Sequence, residues 1–154
     1  MLLQQVMALR YPGCLSGTGS VSHIQTYHGA LGIIYRYAAC TRGGIYSWGR
    51  GRYGALGHDD NEKNHPEPTR IQGLKAGIIV RRIACGRWHC IVLTNRCRLL
   101  GWGRNHAGQL GLGFVSRACT KPVIIELEPG ERRLPSVRDV ATGIQHPIWA
   151  GGVQ

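Results

Sequence analysis

The chain has 154 residues, 43% of them apolar, with 19 Lys and Arg against 8 Asp and Glu, for a net charge of +11 and a pI near 10.0. That length suits one domain with an ordinary core, and no stretch approaches the apolar length of a membrane-crossing helix. The basic balance is the electrostatic footprint of an acidic partner such as nucleic acid, chromatin or an acidic protein surface. Arg spread over solvated faces gives the same total, and no run of Lys or Arg exceeds two, so there is no basic tail.

Residues 1–22 form a non-repeat leader without an acidic residue; it is weakly like a mitochondrial presequence but has no convincing amphipathic period. From there the chain repeats. Residues 23–44 read as an eroded repeat portion, 45–98 and 99–149 as repeat units, and 150–154 as a tail. Trp48, Gly49, Arg50, Gly54, Leu56 and Gly57 recur 54 residues later as Trp102, Gly103, Arg104, Gly108, Leu110 and Gly111. A second block, Ile83-Ala84-Cys85-Gly86 with His89, recurs as Val140-Ala141-Thr142-Gly143 with His146. In the eroded portion Tyr35 takes the place of His89, and Gly32 that of Gly86. Cys90-Ile91-Val92-Leu93-Thr94 and Ile45-Tyr46-Ser47-Trp48 read as short strands between glycine corners, and no long helical period occurs. Units of this kind fit the blades of a radial β-sheet array.

The polar stretch 58–68 and its counterpart 113–122 differ completely while the flanking strands match. They read as loops on a constant scaffold, the place where specificity sits. Gly49-Arg50-Gly51-Arg52-Tyr53-Gly54 fits a dinucleotide fingerprint, but turn chemistry follows it instead of a helix, and the second copy has Asn105 for Gly51; no cofactor is expected. His58, Asp59, Asp60 and His65 carry metal-ligating chemistry without an established spacing. In the set Cys85, His89, Cys90 and Cys97, adjacent strand residues point to opposite faces; no metal is expected at either. A Cys90–His89 nucleophile pair lacks an orienting acid, so no catalytic residue is assigned and the chain is read as a non-enzyme. The six cysteines form no Cys-x-x-Cys pair and read as free thiols in a reducing compartment.

Ser47-Trp48-Gly49, Gly51, Gly54, Leu56-Gly57-His58, Pro66-Glu67-Pro68-Thr69, Ala84-Cys85-Gly86 and His89 together resemble the repeat of the regulator of chromosome condensation family, over about residues 24–149. The resemblance implies an all-β fold, a partial β-propeller, since the family's closed ring has seven blades and this chain supplies two clear units. An open array leaves two unpaired sheet edges, which points to a fragment, a truncated isoform, a chain that self-associates through its blade edges, or one that is poorly stable alone. It also implies that Trp48, Gly49, Gly54, Gly57, Gly86, His89, Trp102, Gly103, Gly108, Gly111, Gly143 and His146 are scaffold. Each repeated His is expected to bond to backbone within its blade, and Trp48 and Trp102 to pack between blades. Trp88 is not a repeat constant and is the aromatic expected to be exposed. It stands with Arg87 in an order exchanged relative to the Trp-Arg pair of the plant ultraviolet-B photoreceptor, which uses the same repeat.

Partner-binding candidates are Arg50, Arg52, His58, Asp59, Asp60, Arg87, Trp88, Arg104 and His106. The first reading is a protein-interaction module; the resemblance implies a Ran-type small GTPase as partner and guanine-nucleotide exchange as the parent activity, although the exchange factor's inserted wedge is not recognisable. The second is chromatin or nucleic-acid binding through Arg-rich faces. The third is a structural propeller segment of a larger scaffold such as a ubiquitin ligase. All three place the chain inside the cell, in nucleus or cytoplasm.

Overall fold

A computed structural model describes residues 21–29, 32–40, 44–60, 62–74, 77–125, 137–142 and 147–151. Most of the leader, the end of the tail, and the repeat positions Gly143 and His146 lie outside the described residues. The strands in chain order are β1 (Val21–Gly29), β2 (Gly32–Cys40), β3 (Ile45–Gly49), β4 (His65–Arg70), β5 (Val80–Cys85), β6 (His89–Thr94), β7 (Leu99–Asn105), β8 (Ser116–Ile125), β9 (Val137–Thr142) and β10 (Pro147–Gly151). A 3₁₀ turn, Arg52–Gly54, lies in the β3–β4 connection. The architecture is all-β, in antiparallel sheets ordered β1-β2-β3-β4, β5-β6-β7-β8 and β9-β10.

The sheets stand side by side. β1 lies against β5, and β5 against β9, so the first strands gather at the hub while β4 and β8 form outer edges. Burial follows that order: every residue of β6 is buried, whereas β4 and β8 are largely half-buried or exposed. His65-Pro66-Glu67-Pro68 belongs to β4, and residues 116–122 to β8, so both stretches read as loops are shorter loops leading into edge strands. Proline is tolerated there because an edge strand needs ladder hydrogen bonds on one side only.

The main core fills the space between the first two sheets. Tyr35, Tyr37 and Ala39 from β2 and Ile45 from β3 meet Ile83, Cys90, Val92, Leu100 and Trp102, with Leu56 and Ile71 closing the sides. The period of two puts Tyr35, Tyr37 and Ala39 on one face of β2 and Cys90 and Val92 on one face of β6. Ile91 and Leu93 therefore point the other way, and they form a second cluster with Ala84, Leu99 and Ile125. Because both faces of β6 are buried, it reads as a continuous apolar run rather than an alternating one.

Repeat units and sheets are out of phase. Residues 45–98 supply β3 and β4 to one sheet and β5 and β6 to the next, and the β6–β7 ladder joins one unit to its successor. Tyr35 is buried like the histidine it replaces, but its hydroxyl donates to the Gly86 carbonyl beside the next sheet. Its counterpart His89 is only 1% exposed, and a Cβ on Gly86 would lie 2.1 Å from the His89 ring, so the glycine is required by the imidazole packed on it. His89 does not make the expected backbone bond through Nε2, which is buried without a partner among the described residues. Burial pushes its pKa down to about 4 and keeps the ring neutral.

Candidate partner-binding face

The connection between β3 and β4 reaches across to the second sheet, where the 3₁₀ turn packs on β7 and β8. Three interactions fix it. The Trp102 indole N–H donates to the Ala55 carbonyl at 3.0 Å. The Ser47 hydroxyl donates to the Leu56 carbonyl at 2.6 Å. The Asp59 N–H donates to the Thr120 carbonyl at 2.9 Å. Gly57 lies where a Cβ would come within 3.0 Å of the Trp102 indole nitrogen, with φ +75°. Gly54 is tighter: φ is +66°, and a Cβ would meet the Thr120 Cα at 2.7 Å.

This geometry consumes three of the candidates. Asp59 accepts from the Thr120 hydroxyl and lies 3.5 Å from Lys121 Nζ; these contacts, the hydroxyl bond first, hold its carboxyl below the usual range. Asp60 pairs with His65. His58 Nε2 donates to the Ser47 hydroxyl at 2.9 Å, its ring 4.3 Å from that of His65. Burial, then the neighbouring His65, lowers its pKa. Among the described residues no group of three or more His, Cys, Asp or Glu is placed to hold a metal.

The turn brings an aromatic residue to the surface junction of the two sheets. Tyr53 has φ 58°, a left-handed conformation costly for a bulky side chain. Guanidinium carbons surround its ring: Arg52 at 4.8 Å, Arg104 at 4.9 Å and Arg117 at 5.4 Å from the centroid. Trp88 meets it edge-on at 5.9 Å. Glu62 accepts the Tyr53 N–H at 3.0 Å and pairs with Arg117, whose hydrogen bond holds the Glu62 carboxyl below its usual range. Arg104 donates to His106 at 2.8 Å. Among the described residues neither Arg52 nor Arg104 has an ion-pair partner.

Trp88 is a correction to the sequence reading. It is 9% exposed, belongs to the main core, and packs between Tyr35 and Tyr53. The aromatic that reaches the surface at this junction is the half-buried Tyr53, which the sequence reading did not single out. Its signal was present, since the repeat position holds Ala107 in the next copy. Arg117 in β8 and Glu62 in the β3–β4 connection, 55 residues apart in stretches without correspondence, carried no such signal. Arg50 and Arg87 are exposed, the latter at the tip of the β5–β6 hairpin, and His106 is exposed beside Arg104. Trp102 is fully buried between the sheets, as expected. Trp48, 8% exposed, lies on the opposite face of β3 from Ile45 and Ser47, away from the second sheet. Gly49 at φ 113° and Gly103 at φ 101° take the same left-handed conformation in the two copies. Gly108 and Gly111 bend the β7–β8 connection with φ 71° and 64°.

The family model described as regulator of chromosome condensation (RCC1) repeat matches residues 42–93 and 98–148, and a second model of that description matches 80–109. The chain belongs to the RCC1 repeat family. The ultraviolet-B receptor UVR8 of Arabidopsis thaliana is 39% identical over 102 residues, which is 66% of this chain and 22% of the receptor. The crystal structure of human WBSCR16 superposes with a TM-score of 0.69 at 28% identity, over 90% of this chain and 33% of that one. Prp20p of Saccharomyces cerevisiae, whose structure was described with its binding to Gsp1p and histones, gives 0.63 at 20% identity, over 80% of this chain and 29% of that one. The sheets are thus blades of an RCC1-type β-propeller. The chain spans at most about a third of the length of these proteins.

Proposed function

We propose that this RCC1-repeat chain is a non-catalytic protein-interaction module that binds a carboxylate-bearing protein surface through Arg52, Tyr53 and Arg104. The single observation that carries the reading is the set of three guanidinium groups around one half-buried tyrosine, only one of them paired with a carboxylate among the described residues. Stacking holds a guanidinium's planar fork in place, and such a fork matches a carboxylate bidentately. The Arg117–Glu62 pair is an internal instance of that recognition. A Ran-type GTPase is the finer proposal for the partner, supported by Prp20p and Gsp1p; guanine-nucleotide exchange is the finest, and the loop after Gly57 that would serve it is instead bonded to Thr120. We place the protein inside the cell, in nucleus or cytoplasm.

The net charge of +11 favours one second reading, nucleic-acid binding through the exposed arginines. Fluorescence titrations with a labelled Glu-rich peptide and with single-stranded DNA, each at two salt concentrations, separate the two. The first reading gives peptide binding that an Arg52→Glu/Arg104→Glu variant loses. DNA binding that weakens steeply with salt, with no peptide binding, supports the second and removes the first.

A further inference from the structure

β5 and β6 are joined through a tight turn in which the Gly86 N–H donates to the His89 carbonyl at 2.9 Å. Hydrogen-bonded and non-hydrogen-bonded pairs alternate along an antiparallel ladder. The next pair, Cys85 opposite Cys90, is therefore non-hydrogen-bonded. Such pairs hold their Cα atoms about 4.5 Å apart with both side chains on one face, inside the span of about 4.4–6.8 Å that a disulfide bridges. Both thiols are free, and the two residues face each other directly across the β5–β6 ladder. Cys90 is fully buried and Cys85 half-buried, so Cys85 is the more accessible residue of the pair.

We propose that Cys85 and Cys90 form a redox-modification site that accepts a low-molecular-weight disulfide of the glutathione class and closes to a cross-strand disulfide. The Cys85 thiol loses its proton to solvent, and its thiolate attacks one sulfur of the small disulfide. A Cys85–glutathione mixed disulfide forms, and the first glutathione leaves as thiolate. The Cys90 thiol then gives up its proton as its sulfur attacks the Cys85 sulfur. The Cys85–Cys90 bond forms, the mixed bond breaks, and the second glutathione leaves. Two protein thiols are oxidised by two electrons and one small disulfide is reduced to two thiols. Burial pushes the Cys90 thiol's pKa up and keeps it protonated until its partner is engaged. The closed bond would tie β5 to β6 directly behind the turn that carries Arg87 and Trp88, and hence behind the support of Tyr53.

The test is differential alkylation and peptide mapping of the whole chain after exposure to oxidised glutathione, in native buffer and in urea. Trypsin cuts after Arg82, Arg87 and Arg96, so the bridge joins the otherwise separate peptides 83–87 and 88–96, two hydrogens lighter than their sum. The expected result is that this linked pair is the main native product, that dithiothreitol reverses it, and that its share falls in urea. Cys90→Ser should instead leave a stable glutathione adduct on Cys85, and Cys85→Ser should leave Cys90 unmodified. Free Cys85 and Cys90 while Cys97 or Cys119 react would overturn the proposal. So would a Cys85 adduct that never transfers, or an equal share of linkage in urea. The wild-type maps decide the matter even if a variant fails to fold.

Discussion

At the scale of single residues, the glycines and one histidine carry the sharpest constraints. Gly54 combines a left-handed backbone with a Cβ position 2.7 Å from the Thr120 Cα. Gly54→Ala is expected to lower the unfolding free energy by about 1–3 kcal/mol in urea titration, since backbone against backbone leaves nothing flexible to yield. Gly73 also has a positive φ, 81°, but nothing within 4 Å, so Gly73→Ala should cost less and serves as the comparison. His89 has its folded pKa lowered to about 4 from 6.5. Its contribution is fully present above pH 6.5. It is lost as pH falls from there toward 4, because the unfolded chain binds the proton first. Up to about 3 kcal/mol should disappear over that window in denaturant midpoints at stepped pH, and His89→Gln should flatten the profile. Tyr53 is the reverse case. Tyr53→Gly relieves a left-handed backbone while removing a ring, so stability should change little and partner binding should fall.

At the scale of elements, the β3–β4 connection behaves as a strap between two blades rather than a free loop. Its amides at Gly54, Gly57 and Asp59 donate to Gly51, Gly54 and Thr120. Hydrogen exchange should therefore find them protected in step with β7 and β8. Asp59→Asn/Thr120→Val should deprotect this strap without deprotecting β6. The sequence displayed β3, β6 and the repetition itself, because Trp48, Gly49, Gly54 and Gly57 recur at one spacing as Trp102, Gly103, Gly108 and Gly111. It did not display where one sheet ends, because a cyclic repeat can be cut at any strand. It misjudged residues 58–68 for a physical reason. Polar residues mark a solvated loop and a polar inter-blade strap alike, and only the position of Thr120, Lys121 and Arg117 tells them apart. Trp88 failed similarly: a residue outside the repeat pattern can still fill a core where its neighbour, Tyr35, is itself a variant.

At the scale of the whole molecule, the chain is a run of propeller blades sharing a hub, with the candidate face at the junction of two of them. A face built across a junction exists only while the blades are packed, so binding should be lost together with the blade contact when Trp102 is replaced by alanine, a change expected to cost about 3–5 kcal/mol. The account's central claim is that Arg52, Tyr53 and Arg104 form the docking surface. It is tested most directly by calorimetric titration of a Ran-type GTPase and a Glu-rich peptide into wild type, Arg52→Glu/Arg104→Glu, and a control pair, Arg70→Glu/Arg81→Glu, which makes the same charge change on exposed strand positions. The account predicts at least about tenfold weaker binding in the first variant, worth about 1.4 kcal/mol, and a much smaller change in the second. Equal losses in both variants would make the interaction one of net charge alone, and no loss in either would remove the face from the binding surface.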